Sequence, residues 1–197
     1  MNLLPYGLRA VLAEFDSLAQ VMAAAASWRA AAPAGVIDIV PAARTVLVVH
    51  DERFDRAWLR EPLPPSRAAP IGELVTIDVV YDGEDLVDVA STLHLTADEV
   101  VRLHSGAEYT VAFCGFMPGF SYLTGLDSRL MLPRRETPRT RVPGGSVAIA
   151  AEFSAVYPRE SPGGWHLLGR TDAPLWVADR EPPALLPPGT RVRFRPR

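Results

Sequence analysis

The 197-residue sequence contains no lysine: all 20 of its basic residues are arginines, set against 23 acidic ones for a formal net charge of −3. Without an ε-amino group, a Schiff-base enzyme, a phosphate-loop lysine, a biotinylated carrier and a Ser-Ser-Lys amidase are all excluded. A single cysteine, Cys114, excludes an internal disulfide and a cysteine-based zinc cage. The four histidines are scattered and form no His-Glu-x-x-His pair, so no metal site is expected. No apolar run approaches the ~20 residues of a membrane span. Pro5, Glu14 and Asp16 interrupt the apolar N-terminal stretch, which therefore does not read as a signal peptide, and the expected location is the cytoplasm. The slightly negative charge gives no general attraction to nucleic acid or anionic lipid.

What is present is ordinary for a soluble globular protein: 48% hydrophobic and 22% charged residues. A chain of this length buries roughly 70% of its unfolded surface, enough for a core without staples. The fold class read from the pattern is α+β. The first third, residues 1–70, alternates strand, helix, strand, strand and short helix. Gly7–Glu14 reads as a strand. Ser17 and Gln20 have the spacing of a capping box, and Leu18, Val21, Met22, Ala25 and Trp28 follow on one helical face. Val36–Val40 and Thr45–His50 read as a hairpin, and Glu52–Leu59 as a short helix bringing Phe54 near Trp58. This is the pattern of a small ferredoxin-like α/β domain. Glu61–Pro70, with four prolines, reads as a linker.

Residues 71–197 read as a second domain. Leu74–Tyr81 is an alternating strand, and Asp85–His94 and Ala97–His104 are helices, the latter opened by a Thr96/Glu99 capping box. This helix pair has the spacing of a helix-turn-helix, but Asp85, Asp88, Asp98 and Glu99 outnumber Arg102, and a DNA reader must neutralise phosphates. Tyr109–Gly115, Ser146–Ala151, Phe153–Tyr157, Trp165–Thr171, Leu175–Val177 and Arg191–Phe194 are short apolar runs separated by glycine and proline, which predicts a closed or nearly closed β-barrel.

Candidate chemistry concentrates in this second part. The segment from Gly115 to Gly125 places Phe116, Phe120 and Tyr122 among glycines and a proline, a loop whose rings must lie over a pocket or face a partner. Arg134, Arg135, Arg139 and Arg141 cluster in a proline-bounded loop. Arginine's planar fork suits carboxylate or phosphate; Arg141, beside the glycines preceding Ser146, is the chosen ligand residue, whereas Arg134 and Arg135 read as solvated. Gly144-Gly-Ser146 precedes a strand, so it does not build a nucleophile elbow. Between Tyr157 and Thr171, Ser161, Trp165 and Arg170 supply a hydroxyl, an indole N–H and a guanidinium to hold a small polar ligand. His104 has two readings: a helix C-terminal histidine favoured by the dipole, or a proton carrier near the barrel mouth. Cys114 reads as a buried strand residue.

The run from His104 through Phe113, Gly115, Pro118 and Phe120 to Leu123 resembles the signature of the family of 5-oxoprolinase B subunits, also called allophanate hydrolase subunit 1 or the Kip-type kinase-inhibitor family. The runs Pro133–Ala150 and Tyr157–Thr171 match it too, while Ser121, Gly144 and residues 151–155 depart from the usual pattern. The resemblance implies an N-terminal α/β domain followed by a cyclophilin-like barrel. It implies the C and A subunits of 5-oxoprolinase as partners and an ATP-driven opening of 5-oxoproline to glutamate. It also implies two alternatives: a carboxyl-transfer role like that in urea carboxylases, with urea or allophanate as substrate, or inhibition of a sensor histidine kinase. With no lysine and no evident metal site, nucleotide handling is expected mainly in a partner. The residues expected to act are His104 and Arg170 in catalysis, with Arg141, Ser146, Tyr157, Ser161, Trp165, Phe120 and Tyr122 binding substrate.

Overall fold

Antiparallel pairing dominates the computed structural model, which describes residues 1–61 and 72–197. The chain divides into two compact units, Met1–Ala69 and Pro70–Arg197. The proline-rich stretch read as a linker lies outside the described residues apart from Glu61.

In the first unit, β1 (Asn2–Pro5), β2 (Ala10–Glu14), α1 (Leu18–Ala30), β3 (Val36–Pro41) and β4 (Thr45–His50) form one sheet in the order β1-β2-β4-β3 with the helix against it. β4 lies between β2 and β3, which is the split βαβ arrangement of a ferredoxin-like sandwich. The strand expected from Gly7 begins only at Ala10, because Gly7, at φ +67°, makes the turn out of β1. β1 carries no strand signal of its own: it is four residues long and ends in proline, which an edge strand tolerates. At the start of α1, Ser17 Oγ accepts the Gln20 N–H at 3.3 Å, while Gln20 Oε1 accepts from Asp16 N–H at 3.0 Å, one residue earlier than a capping box requires. Trp28, buried from α1, meets Phe15 and Trp58 at 6.0 Å between ring centroids. The short helix expected at 52–59 is a 3₁₀ turn, Arg56–Arg60, opened by Asp55 accepting the Ala57 N–H.

The second unit runs β5 (Leu74–Val79), α2 (Leu86–Thr92), α3 (Ala97–Gly106), β6 (Tyr109–Cys114), β7 (Ser121–Thr124), β8 (Arg139–Val142), β9 (Ser146–Ala150), β10 (Phe153–Val156), β11 (Ser161–Gly163), β12 (His166–Arg170) and β13 (Arg191–Pro196). Seven of these strands form a sheet in the order β12-β9-β10-β7-β6-β13-β5. Beyond β5, Val80 bridges Arg170 of β12, and Gly83 and Asp85 donate backbone N–H groups to Leu168 and Leu167. These bonds bring the two ends of the sheet together in a nearly closed barrel. β8 and β11 form a separate two-stranded ribbon beside it. The strand expected at Leu175–Val177 is irregular chain, with only an isolated bridge from Trp176 to Ala184. Leu175 is nevertheless buried, so its run of apolar residues packs without pairing.

The barrel interior is built from alternating residues of facing strands, among them Ile77, Tyr109, Leu123, Ile149, Leu168 and Phe194. Val89 of α2 and Val100 of α3 join the same core. α3 carries the full capping box, Thr96 with Glu99.

Candidate aromatic pocket

The loop from Gly115 to Phe120 is folded tightly by three backbone bonds: Gly115 N–H to Phe120, Met117 N–H to Gly115 and Phe120 N–H to Met117. Phe116 (φ +69°) and Gly119 (φ +81°) take left-handed conformations there, and Gly119 lies so close to Trp176 that a β-carbon would sit 2.9 Å from that side chain. The turn sends Phe120 inward, 1% exposed, and leaves Phe116 61% exposed at the rim. Phe120 then meets Tyr122 of β7, Tyr157 after β10 and Trp165 before β12, with ring centroids 5.1, 5.3 and 5.6 Å away, all edge-on. Such edge-to-face pairs each add about 0.5–1.5 kcal/mol beyond burial, so the cluster is stiff. It lines a pocket of about 90 Å³, completed by Arg134 and by Gly163 and Gly164. Gly163 has no room for a side chain, since a β-carbon would lie 2.3 Å from the Tyr157 hydroxyl.

The pocket's polar groups are the two tyrosine hydroxyls and Arg134. Burial pushes the Tyr122 hydroxyl up from its ordinary value, partly offset by the charge and hydrogen bond of Arg134. Burial also raises Tyr157, against a backbone hydrogen bond from Trp165 and the nearby charges of Arg134 and Arg139. Both hydroxyls are therefore neutral at physiological pH and serve as hydrogen-bonding groups rather than bases. Arg134 has no carboxylate partner among the described residues, so its charge is available to a ligand.

Of the residues singled out from the sequence, Phe120, Tyr122, Tyr157 and Trp165 converge here. Ser161 precedes the pocket-lining Pro162, and its Oγ is buried with no hydrogen-bond partner among the described residues. Ser146 is buried on β9, outside the lining, where its carbonyl accepts the Tyr157 N–H at 2.9 Å. Arg141 does not line the pocket: it is three-quarters exposed and its Nε donates to Glu160 at 2.7 Å. The placement is thus the reverse of that expected, with Arg134 lining the pocket and Arg141 solvated. Arg170 lies at the barrel seam, paired with Asp82 at 2.8 Å, beside a different depression of about 260 Å³ that also touches Asp78 and Arg197.

His104 is not at the barrel mouth. It is fully buried on α3, its ring stacked on Phe194 with centroids 4.7 Å apart. Ser154 Oγ donates to Ala148 C=O at 3.3 Å and so accepts from His104 Nε2 at 2.9 Å; Nδ1 in turn accepts the Tyr81 hydroxyl at 2.7 Å. Each donor along this relay has one acceptor, which fixes a neutral imidazole. Burial pulls its pKa down to about 3. The ring is thereby tied to Tyr81 and to Ser154 of β10 in the core rather than set at the barrel mouth.

Among the described residues the fit of a nucleotide is poor. The aromatic pocket falls well below the ~300–1,000 Å³ usual for ligand sites. The seam depression is wider, but both of its arginines face carboxylates, Asp82 and Asp78. A third depression, about 510 Å³, carries the carboxylates of Glu14 and Asp16 beside Arg44.

Fold and site together define a barrel protein with a small, stiff aromatic pocket and a cation at its edge. The chain belongs to the carboxyltransferase domain family, subdomain C and D, whose model matches residues 1–186. A protein named as the B subunit of 5-oxoprolinase from Haemophilus influenzae is 33% identical over 210 residues, covering 98% of this chain and 97% of that protein. The protein of the same name from Escherichia coli O157:H7 is 45% identical over 149 residues, 74% of this chain. The solved structure of TTHA0988 superposes with a TM-score of 0.78 at 38% identity over 96% of this chain. The chain spans 66% of the E. coli relative and 40% of the TTHA0988 chain.

Proposed function

We propose that this chain is the B subunit of an ATP-dependent 5-oxoprolinase, working in the cytoplasm with the C and A subunits and contributing part of a shared site that opens 5-oxo-L-proline to L-glutamate. The observation that carries the reading is Arg134, free of any carboxylate among the described residues, at the edge of the aromatic pocket. It stands in a chain alike along nearly its whole length to a 5-oxoprolinase B subunit. The substrate is a small ring bearing one carboxylate. Arg134 receives that carboxylate through its fork. The rings of Phe120 and Trp165 exclude water from the five-membered ring, and the neutral Tyr122 and Tyr157 hydroxyls hydrogen-bond its amide. When bound by the complex, ATP supplies the energy for opening an unstrained lactam, and the residues of this chain bind and orient.

The test is to mix the purified chain with matching A and C subunits and follow glutamate released from 5-oxoproline in the presence of ATP. Release that continues unchanged without this chain rejects the reading. A carboxyl-transfer role on urea or allophanate is favoured by the family description, and substituting those substrates in the same assay decides it. Docking on a sensor histidine kinase is favoured by the exposure of Phe116, and capture of such a kinase in place of the C subunit supports that reading instead.

A further inference from the structure

Asp85 lies far from the aromatic pocket in sequence and is 1% exposed. It stands at the N-terminus of α2, yet its side chain makes no cap bond to the helix. It turns instead to the arginine loop. One oxygen, Oδ1, accepts from Arg135 Nη1 and from Arg139 Nη2 at 2.7 Å, and Oδ2 accepts the Leu167 N–H of β12 at 2.8 Å. A single carboxylate thus fastens two guanidiniums to the barrel wall.

Those guanidiniums flank the pocket's cation. Arg134 is adjacent in sequence to Arg135, whose backbone N–H donates to the Gly164 carbonyl at 2.8 Å, and Gly164 itself lines the pocket. Arg139, the other anchored residue, pairs through β8 with Gly163 of β11, the glycine beneath the Tyr157 hydroxyl. Both routes from Asp85 through its arginines therefore end on a wall of the pocket: through Arg135 to Arg134 and Gly164, and through Arg139 to Gly163. Charge-assisted bonds to a buried carboxylate are short and directional, so they fix the loop more firmly than its own turn geometry does. Breaking such a pair leaves a charge uncompensated in a low-dielectric site.

We infer that Asp85 is a positioning residue for the substrate site, bolting the 133–139 loop to the barrel so that Arg134 is held against the aromatic pocket. Asp85 touches no ligand in this arrangement; it acts through the arginine next to the one that does. The inference rests on the 5-oxoprolinase reading for its substrate, while the bolt itself is a property of the isolated chain.

Two measurements separate them. In the isolated chain, trypsin cuts only after arginine because there is no lysine. Asp85→Asn is expected to speed cleavage within residues 134–139 at least tenfold, with cuts elsewhere unchanged. In the reconstituted complex, Asp85→Asn is expected to raise the KM for 5-oxoproline at least tenfold with kcat within twofold. Added to Arg134→Ala, it is expected to change KM by less than half the factor it produces alone, because the cation it positions is gone and only the route through Arg139 to Gly163 remains. Unchanged cleavage overturns the bolt. A KM effect that adds in full to that of Arg134→Ala overturns the route through Arg134. If the wild-type complex releases no glutamate, the functional reading fails, and the cleavage result alone decides the bolt. Should Asp85→Asn not fold, Arg139→Gln removes one guanidinium from the same carboxylate, and is expected to speed cleavage at the remaining arginines of the loop and to raise KM in the same way.

Discussion

Val80, just beyond β5, and Arg170 of β12 exchange both of their backbone hydrogen bonds, at 2.9 and 2.8 Å, and this bridge helps to join the two ends of the seven-stranded sheet. Strand ends come this close because there is no side chain between them. A β-carbon on Gly169 would lie 2.4 Å from the Val80 carbonyl oxygen, and one on Gly83 would lie 2.3 Å from that of Leu167.

Gly169→Ala is accordingly expected to cost about 2 kcal/mol or more, because the clash is with backbone and cannot be relieved by a rotamer. Chemical denaturation measures it. Gly106→Ala is the control: beyond its chain neighbours and its own helix backbone no described atom lies within 4 Å of the added carbon, and it sits in the last turn of α3 without positive φ. That substitution is expected to leave stability within about 1 kcal/mol of the parent.

His104 gives the chain a specific acid sensitivity. Its folded pKa is lowered to about 3 from an ordinary 6.5, so between those values the unfolded chain holds a proton that the folded chain refuses. Stability supported by this group is complete above about pH 6.5 and drains away as the pH falls toward 3, with the slope of one proton. His104→Gln is expected to cost about 1–3 kcal/mol at pH 7 by breaking the Tyr81–His104–Ser154 relay. The gap between parent and variant should narrow by roughly 2 kcal/mol on going to pH 5. Urea unfolding at the two pH values reads this directly, and a constant gap contradicts it.

Gly163→Ala drives a methyl group into the Tyr157 hydroxyl at the floor of the pocket. The ribbon that carries Gly163 stands beside the barrel, so the expected result is a raised KM for 5-oxoproline of tenfold or more with the barrel's denaturation midpoint little changed. The two readings are taken on the same preparation.

Much of the fold is written locally. Thr96 and Glu99 announce α3, and the alternation of Val75, Ile77 and Val79 announces β5, because caps and period-two patterns act over a few residues. β1, β8 and β11 are three or four residues long and rich in proline, arginine or glycine, and their pairing comes from partners rather than from their own composition. The aromatic members of the pocket were legible for a chemical reason: Phe120, Tyr122 and Trp165 stand among glycines and prolines where no helix or long strand can bury them. Which arginine of the loop lines the pocket was not. That depends on Glu160 claiming Arg141, Asp82 claiming Arg170 and Asp85 claiming Arg135 and Arg139, pairings made across 19, 88, 50 and 54 residues respectively. The burial of His104 is equally hidden, since its place at a helix end says nothing of the strands that enclose its side chain.

The most direct test is the KM for 5-oxoproline in complexes reconstituted with Arg134→Ala, Arg141→Ala or the unaltered chain. Arg134→Ala is expected to raise KM at least tenfold, about 1.4 kcal/mol of lost binding, while Arg141→Ala stays within twofold. An Arg134→Ala complex with unchanged KM would place the substrate somewhere other than the aromatic pocket of this chain.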